Sequence, residues 1–270
     1  MEPSRDSGQR GAPAGLRLPH PRADRGGAGQ RPHRHGTAAG AGGDRSGGAG
    51  LTLKGLRVLI TTGPTREHLD PIRFLTNASS GAMGVALARE ARRRGARVVL
   101  VSGPLPGTRP RGPGIRVIPV TTALQMLRRT LPAARRCDVV IGAAAVGDWR
   151  FARPAPSKVK RTPSPLRVTL LPNPDILAEL GRRRRARGGA GPLLVGFALE
   201  TERGISNARG KLRRKGLDLI VANGPATLSG SRIRMALVGP AGPARRFPPL
   251  TKPRAAREIL RAVDSLLGVR

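Results

Sequence analysis

The segment from Asn77 to Gly84 combines residue types that suit the binding of an anion. It contains one asparagine, two serines and two glycines between an apolar run and an arginine-rich helical pattern. Serine at a helix start and glycine in its first turn leave backbone N–H groups accessible, and the helix dipole adds partial positive charge. We therefore expect a phosphate or carboxylate here. The same residues could also form an ordinary capped helix whose glycines pack closely on a strand.

Charged residues follow later apolar runs. Asp148 comes just after a run of small residues that leaves room for a ligand against the backbone, although a lone aspartate there could equally cap a turn. Lys158 and Lys160 lie in a proline-rich basic segment, where ammonium groups on flexible stems could follow a triphosphate. The motif NPDIL, 173–177, has the residue types of an ordinary helix start.

Lysine is scarce in this chain. Only six of the 50 basic residues are lysine, and glycine and proline are abundant at 37 and 26 residues, which is the profile of a gene with GC-rich codons. Lys211 and Lys215 nevertheless lie four residues apart, on one face of a predicted helix. Paired lysines against an arginine-rich background indicate that ammonium groups matter at these positions.

Two common nucleotide-binding motifs are missing from the sequence. Neither G-x-G-x-x-G with an acid about 20 residues later nor a Walker loop is present, and no acidic residue lies between Glu90 and Asp138. NAD is therefore disfavoured, while Arg109 and Arg111 leave NADP open. An NADP-dependent Rossmann reductase is thus an alternative function, but its hydride chemistry would need a tyrosine and the chain has none.

Short apolar runs alternate with helical patterns from Leu53 onward. The predicted strands cover 56–63, 96–103, 138–146, 193–200 and 218–223, with an edge strand over 232–239. The predicted helices cover 81–95, 122–136, a segment from 173, 205–216 and 253–268. Segment 150–171 is expected to form an excursion or flap. This order predicts an α/β Rossmann-like fold with a mainly parallel sheet, helices on both faces and ligands at the carboxyl ends of the strands.

Composition limits the remaining function classes. Residues 1–50 are rich in Gly, Ala, Arg and Pro and are expected to be a disordered low-complexity segment before one domain, 51–270. The net charge of +34 would suit a basic nucleic-acid-binding protein, a second alternative, but only 2% of the residues are aromatic, so bases would find few stacking partners. No apolar run reaches the about 18 residues of a membrane span, and we expect a cytoplasmic protein. With one cysteine, Cys137, and four histidines, a disulfide or a Cys/His metal cluster is not expected.

Six motifs taken together resemble the phosphopantothenate–cysteine ligase family of coenzyme A biosynthesis. They are GPTREHLDPIRFLTNASSGAMG, AAAVGDW, SKVKR, NPDIL, VGFALET and ARGKLRRKGLDLIVAN, and their order and spacing match the bacterial form over residues 54–267. The resemblance implies a Rossmann-like domain that forms a homodimer. It further implies that CTP and Mg²⁺ serve to join 4'-phosphopantothenate to L-cysteine through an acyl-cytidylate, with release of CMP and pyrophosphate.

The resemblance also assigns roles to residues. Lys158 matches a lysine tied to formation of the acyl-cytidylate, and Asn77 an asparagine tied to its later use. The implied nucleotide site comprises Gly142, Ala143, Ala144, Asp148, Lys158, Pro174, Asp175, Ile176, Leu177, Phe197, Lys211 and Lys215. The implied phosphopantothenate site comprises Asn77, Ser79, Ser80, Gly81, Ala144 and Ala145. No metal ligands are implied.

The chain departs from the family pattern at four positions. Gly147, Trp149 and Arg161 replace similar residues, whereas Gly224 stands where the family commonly has an aspartate. Many bacterial members follow a flavin-dependent decarboxylase in the same chain. The 50 residues before Leu51 are too few for that domain, so no flavin is expected. The decarboxylase is expected to be a separate chain, or to be missing through a truncated or misassigned start.

Overall fold

The computed structural model describes residues 53–107, 109–199, 204–224 and 230–268. They belong to one unit of the chain, 48–270. The prediction of disorder for residues 1–50 lies outside the described residues.

Twelve strands and five helices alternate along the described part of the chain. The strands are β1 (Arg57–Thr62), β2 (Arg66–His68), β3 (Phe74–Thr76), β4 (Arg97–Ser102), β5 (Ile115–Pro119), β6 (Val139–Gly142), β7 (Trp149–Phe151), β8 (Leu170–Pro172), β9 (Leu193–Leu199), β10 (Leu219–Asn223), β11 (Arg232–Val238) and β12 (Arg245–Thr251). The helices are α1 (Ala82–Arg93), α2 (Ala123–Ala134), α3 (Ile176–Arg185), α4 (Gly204–Lys215) and α5 (Lys252–Gly268).

Eight of these strands form one central sheet in the order β12-β11-β10-β9-β6-β1-β4-β5. The six strands from β10 to β5 are parallel, and β11 and β12 add antiparallel pairings at one side. From β1 the chain first winds towards β5 and then, beginning with β6, towards β12. The predicted Rossmann-like fold, with its mainly parallel sheet, is confirmed.

Helices cover both faces of the sheet because the buried strands are apolar on both sides. Val58 and Ile60 of β1 pack with α1 and α5, while Leu59 packs with α2, α3 and α4 on the other face. The side chains of all three strand residues have no exposed surface. This two-faced burial explains why the strand runs in the sequence are continuously apolar.

The structure corrects several element predictions. The stretch after β1, for which no element was predicted, forms a small antiparallel hairpin of β2 and β3. The predicted edge strand, β11, pairs on both sides, because β12 forms the edge. Neither β5 nor β12 was predicted. Segment 150–171 leaves the central sheet as predicted, and β7 and β8 pair with each other at its base.

A buried ion cluster joins the last turn of α1 to α5. The Arg94 side chain is only 9% exposed and lies 2.9 Å from Glu90 Oε1 and 2.7 Å from Asp264 Oδ2. It also donates to the Arg257 carbonyl at 2.9 Å.

Burial raises the pKa of Asp264, and the Arg94 charge opposes that rise. Burial also opposes ionisation of Glu90, but hydrogen bonds and charges from Arg93 and Arg94 outweigh it and lower the Glu90 pKa.

Substitution Arg94→Met should lower the free energy of unfolding by about 3 kcal/mol, because it leaves the buried Asp264 carboxylate without its partner. Urea unfolding followed by circular dichroism measures the change. Arg93→Met is the matched control, since Arg93 also pairs with Glu90 but its side chain is 67% exposed, and it should cost less than about 1 kcal/mol. Equal losses in the two variants would contradict the role assigned to Arg94.

Helix α1 approaches the end of β1 at Gly84. A Cβ atom built on Gly84 would overlap the side chain of Thr62. The Thr62 hydroxyl in turn donates to the carbonyl of Gly81 at 2.8 Å. The glycine thus lets the start of α1 lie directly against the strand that ends beneath it.

Substitution Gly84→Ala should lower the free energy of unfolding by about 1–3 kcal/mol, because the added methyl group pushes α1 away from β1. Gly210→Ala is the control, since a Cβ on this helical glycine meets nothing within 4 Å. The control should raise stability by about 0.5–1 kcal/mol through helix propensity. Thermal unfolding of both variants checks the pair, and a stabilised Gly84→Ala protein would disprove the close approach.

Candidate active site

A cavity of about 580 Å³ opens at the carboxyl ends of the parallel strands. Its floor is formed by the ends of β1, β6, β9 and β10, and its walls by the starts of α1, α3 and α5 together with one face of α4. In open α/β sheets, ligands bind where the winding of the strands reverses. Here that reversal lies between β1 and β6, at the centre of the cavity floor.

The loops after β1 and β6 are joined by hydrogen bonds. The Ala145 amide donates to the Gly63 carbonyl at 3.0 Å, and the Thr65 amide donates back to the Ala145 carbonyl at 3.3 Å. The hydroxyl of Thr65 accepts from the Gly147 amide at 2.9 Å. These contacts hold the small-residue loop 142–147 in a fixed path along the cavity.

Asn77 bridges the two sides of the cavity. Its side-chain amide donates to the carbonyls of Ala145 and Val146 at 3.2 and 3.1 Å. The side chain is exposed, and it lines the cavity together with Ser79, Ser80 and Gly81. The structure therefore brings together all the residues that the resemblance implies for phosphopantothenate.

The start of α1 differs from the predicted serine cap. The residue that precedes the helix is Gly81, in a left-handed conformation with φ of 68°, and no side chain caps the helix. The Ser79 hydroxyl instead accepts from the Gly81 amide at 3.3 Å. The Ala82 amide also makes a long contact of 3.5 Å with the Ser80 hydroxyl, and the first turn of α1 lines a cavity wall that can bind an anion.

The start of α3 forms the opposite wall. As the motif predicts, a helix starts here: Asp175 is its cap and accepts from the Ala178 amide at 3.0 Å, and Pro174 lies just before the cap. The same carboxylate pairs with Lys215 of α4 at 2.7 Å. Burial opposes ionisation of Asp175, but Lys215 and the backbone amides outweigh it and lower the Asp175 pKa. The wall therefore presents a fixed ion pair.

Glycines in the strands β6 and β9 allow this wall to approach the floor. Cβ atoms built on Gly142 and Gly196 would lie 2.7 and 3.2 Å from Leu177 Cδ1. Leu177 can therefore rest on β6 and β9, which brings Asp175 to the cavity.

The remaining residues implied for the nucleotide site lie around the same cavity, with one exception. The cavity is lined by Gly142, Ala143, Ala144, Asp148, Pro174, Asp175, Ile176, Leu177, Phe197, Lys211 and Lys215. Lys158 is not among the lining residues; it is exposed in the excursion between β7 and β8. The structure thus leaves it outside the cavity wall.

The excursion is nevertheless tied to the hairpin of β2 and β3 next to Lys158. The Val159 amide donates to Asp70 Oδ2 at 3.2 Å, and its carbonyl accepts from the Arg73 guanidinium at 2.7 Å. Asp70 is 1% exposed, and hydrogen bonds from Arg73 and nearby backbone amides hold its pKa well below the usual range. Lys158 therefore extends from an anchored point of the chain.

Metal and thiol chemistry are constrained by the same geometry. Within the described ranges, no group of three or more His, Cys, Asp or Glu residues could hold a metal ion. Asp148 and Asp175 are the carboxylates that line the cavity, a number that suits an ion carried in by substrate phosphates. Cys137 is buried away from the cavity, donates to the Ala133 carbonyl at 3.3 Å, and burial raises its pKa to about 11. Cys137 belongs to the hydrophobic core on one face of the sheet.

The sequence analysis did not identify every residue of the cavity wall. Asn173 donates to the Gly147 carbonyl at 2.9 Å and lines the cavity, as do Met83, Asn223 and Lys252. Lys252 is one of only six lysines in the chain, and that scarcity is the signal that could have drawn attention to it.

No described helix combines the length and apolar character needed to cross a bilayer.

Comparisons with known proteins identify the family of this chain. The family described as the DNA/pantothenate metabolism flavoprotein C-terminal domain matches residues 53–267. A cysteine/cysteine sulfinic acid decarboxylase from an unknown prokaryotic organism is 41% identical over 219 residues, or 80% of this chain and 60% of that protein. The coenzyme A biosynthesis bifunctional protein CoaBC of Escherichia coli strain K12 is 44% identical over 174 residues, or 63% of this chain and 41% of that protein. The chain thus spans 41–60% of the length of these relatives.

A solved structure gives the same result. The crystal structure of the C-terminal domain of the coenzyme A biosynthesis bifunctional protein CoaBC superposes with a TM-score of 0.68 at 36% identity, covering 82% of this chain and 99% of that one. The family match, the relatives and the shared fold together show that the chain belongs to the DNA/pantothenate metabolism flavoprotein C-terminal domain family, the phosphopantothenate–cysteine ligase domain of the CoaBC proteins.

Proposed function

We propose that the chain is a cytoplasmic ligase that joins 4'-phosphopantothenate to L-cysteine, using CTP and releasing CMP and pyrophosphate. The observation that carries the proposal is a single cavity with two chemically different walls. One wall presents Asn77 and the uncapped amides of α1, and the other presents Asp175 with Lys211 and Lys215. The first wall suits the acid substrate, and the second suits a nucleotide.

The proposed reaction has two steps. In the first, a carboxylate oxygen of phosphopantothenate attacks the α-phosphorus of CTP, and the bond from that phosphorus to the pyrophosphate oxygen breaks. In the second, the cysteine amine attacks the acyl carbon, the bond to CMP breaks, and the amine nitrogen loses a proton. Holding both substrates in one cavity makes each step effectively unimolecular.

Residues of this chain supply the charge balance. The first step gathers negative charge around phosphorus, which the ammonium groups of Lys211, Lys215 and an inward-moving Lys158 would offset. Mg²⁺ bound to the nucleotide would offset further phosphate charge, and Asp148 is the cavity carboxylate best placed to hold it, because Asp175 already pairs with Lys215. The second step develops an oxyanion, which the Asn77 amide beside the substrate wall would stabilise.

The proposal also includes a homodimer, and a decarboxylase that acts on the product. The hairpin of β2 and β3 exposes Ile72, Phe74 and Leu75, and β8 beside it exposes Leu170 and Leu171. Since β2 lies against β7, the partner of β8, these apolar residues belong to one region of the surface. Adjacent exposed apolar residues of this kind favour association with another protein surface.

Purified protein supplied with 4'-phosphopantothenate, L-cysteine, CTP and Mg²⁺ should release pyrophosphate and form phosphopantothenoylcysteine in equal amounts. A coupled pyrophosphate assay and mass spectrometry of the product measure the two. Omission of cysteine should restrict release to about one equivalent per site, because the acyl-cytidylate then remains bound. A folded protein that releases no pyrophosphate with all substrates present would refute the ligase activity.

Two variants should separate the steps. Lys158→Gln should slow pyrophosphate release by about 100-fold, because charge at phosphorus is no longer offset. Asn77→Asp should keep the first release but slow amide formation by about 100-fold, because a carboxylate oxygen would face the Ala145 and Val146 carbonyls and turn the side chain away.

Arg167→Gln is the matched control for these variants, because it removes one exposed charge from the same excursion as Lys158. Its rates should match those of the unmodified protein. Full turnover in both test variants, or equal losses in the control, would show that the roles of Asn77 and Lys158 are wrongly assigned.

A further inference from the structure

Lys252 is a buried lysine in the wall of the active-site cavity. The residue is only 7% exposed, although lysine is among the residues that are rarely buried without a partner. It begins α5, directly after the last residue of β12. It lines the cavity, and it also lines an adjoining groove together with Ser80 and Ala82, at the start of α1.

The ammonium group of Lys252 lacks a counter-charge within the described structure. Among the described residues, no hydrogen bond or ion pair reaches it, and burial alone lowers its pKa. Its position at a helix start adds a further cost, because the dipole of α5 places partial positive charge at the same end. No described residue compensates this arrangement, which should therefore cost stability in the unliganded protein.

The start of α1 lies beside the same part of the cavity, and the residue before this helix does not cap it. Gly81 precedes the helix without a side-chain cap, and Ser80 and Ala82 line the wall that Lys252 also lines. Arg94 fixes the two helices to each other through Asp264 and the Arg257 carbonyl. Two independent sources of positive potential, one a full charge and one a set of amides, therefore converge on one place.

A second groove, which adjoins the cavity, extends the region of positive potential towards the protein surface. It is lined by Arg89, Arg93 and Arg257 as well as by Glu90, and it shares Ser80, Ala82 and Lys252 with the main cavity. Lys252 thus lies on the border between the cavity and a mainly basic surface. An anion at this border would be attracted from both sides.

We propose that the Lys252 ammonium and the first-turn amides of α1 form a subsite for a phosphoryl group of a substrate. The identity of that group rests on the proposed function and has two sources there, the phosphate of 4'-phosphopantothenate and a terminal phosphate of CTP. Lysine suits this role because its compact ammonium acts as a point charge towards phosphate. The bound phosphoryl group supplies the negative charge that no described residue provides for the Lys252 ammonium.

Isothermal titration with wild-type protein and the Lys252→Met variant tests the subsite. The ligands are CTP, cytidine, 4'-phosphopantothenate, pantothenate and inorganic pyrophosphate, each alone. One phosphorylated substrate should bind at least about tenfold more weakly to the variant, because a charge-assisted contact is lost. A loss confined to phosphopantothenate assigns its phosphate to the subsite, whereas a loss for CTP and pyrophosphate assigns the triphosphate.

Arg254→Met is the matched control. Arg254 lies two residues further along α5 and is exposed, so this variant removes the same charge from the same helix turn without touching the cavity. Its affinities should stay within about twofold of wild type, since exposed charges are screened by salt. The unliganded Lys252→Met protein should also melt at a temperature no lower than wild type, because methionine removes an uncompensated buried charge.

The outcomes separate this proposal from the ligase activity. Affinities of Lys252→Met within about twofold of wild type for every phosphorylated ligand, or equal losses in Arg254→Met, would overturn the subsite even if amide formation proceeds normally. Lys252-dependent binding without any amide product would support the subsite and refute the ligase. A wild-type protein that binds none of the phosphorylated ligands would overturn both.

Discussion

The winding of the sheet reverses between β1 and β6, and this reversal creates the cavity that holds the candidate site. Because neighbouring strands feed loops in opposite directions at that point, the two loops part above the sheet and leave space between them. The hydrogen bonds between Gly63, Thr65 and Ala145 then fix how far the loops part. Backbone hydrogen bonds thus fix the width of the cavity. The side chains of these loops need only be small enough to leave it open.

Small residues matter here because they control how closely the helices approach the sheet. Gly84 lets α1 approach the end of β1, and Gly142 and Gly196 let Leu177 of α3 approach β6 and β9. Both helix starts therefore converge on one cavity from opposite faces of the sheet. The fold thus places two helix N-termini and the ammonium groups of several lysines around one cavity. Few long side chains project into the space between them, which leaves room for large substrates.

Much of this arrangement could be predicted from local patterns, and the errors have physical causes. Continuous apolar runs flanked by helical periodicity gave the parallel strands and the fold class. The edge strand β12 reads RRFPPLT, and its basic residues and paired prolines hide the strand signal, although they suit an exposed edge. The hairpin of β2 and β3 was missed because each strand has only three residues and no turn glycine separates them.

The limits at the site follow the same logic. Asn77 and Asp148 could be found because each lies close to a predicted element: Asn77 comes shortly before the helix predicted at 81–95, and Asp148 comes shortly after the strand predicted at 138–146. Lys252 could not be placed in the cavity, since its approach to α1 spans about 170 residues of chain and results from the pairing of Arg94 with Asp264. Periodicity carries no information about such a tertiary contact.

The charged residues of the cavity differ from those of the protein surface in residue type and in burial. A net charge of +34 arises mostly from exposed arginines, whose few acidic partners, such as Glu179 and Glu258, are shared between neighbouring guanidinium groups. Such exposed charges are screened by salt within a distance of about 8–10 Å. Screening acts far less on the buried ammonium of Lys252 or on the partly buried pair of Lys215 and Asp175. At physiological salt, recognition of a phosphorylated ligand should therefore depend on the few lysines of the cavity and little on the many arginines of the surface.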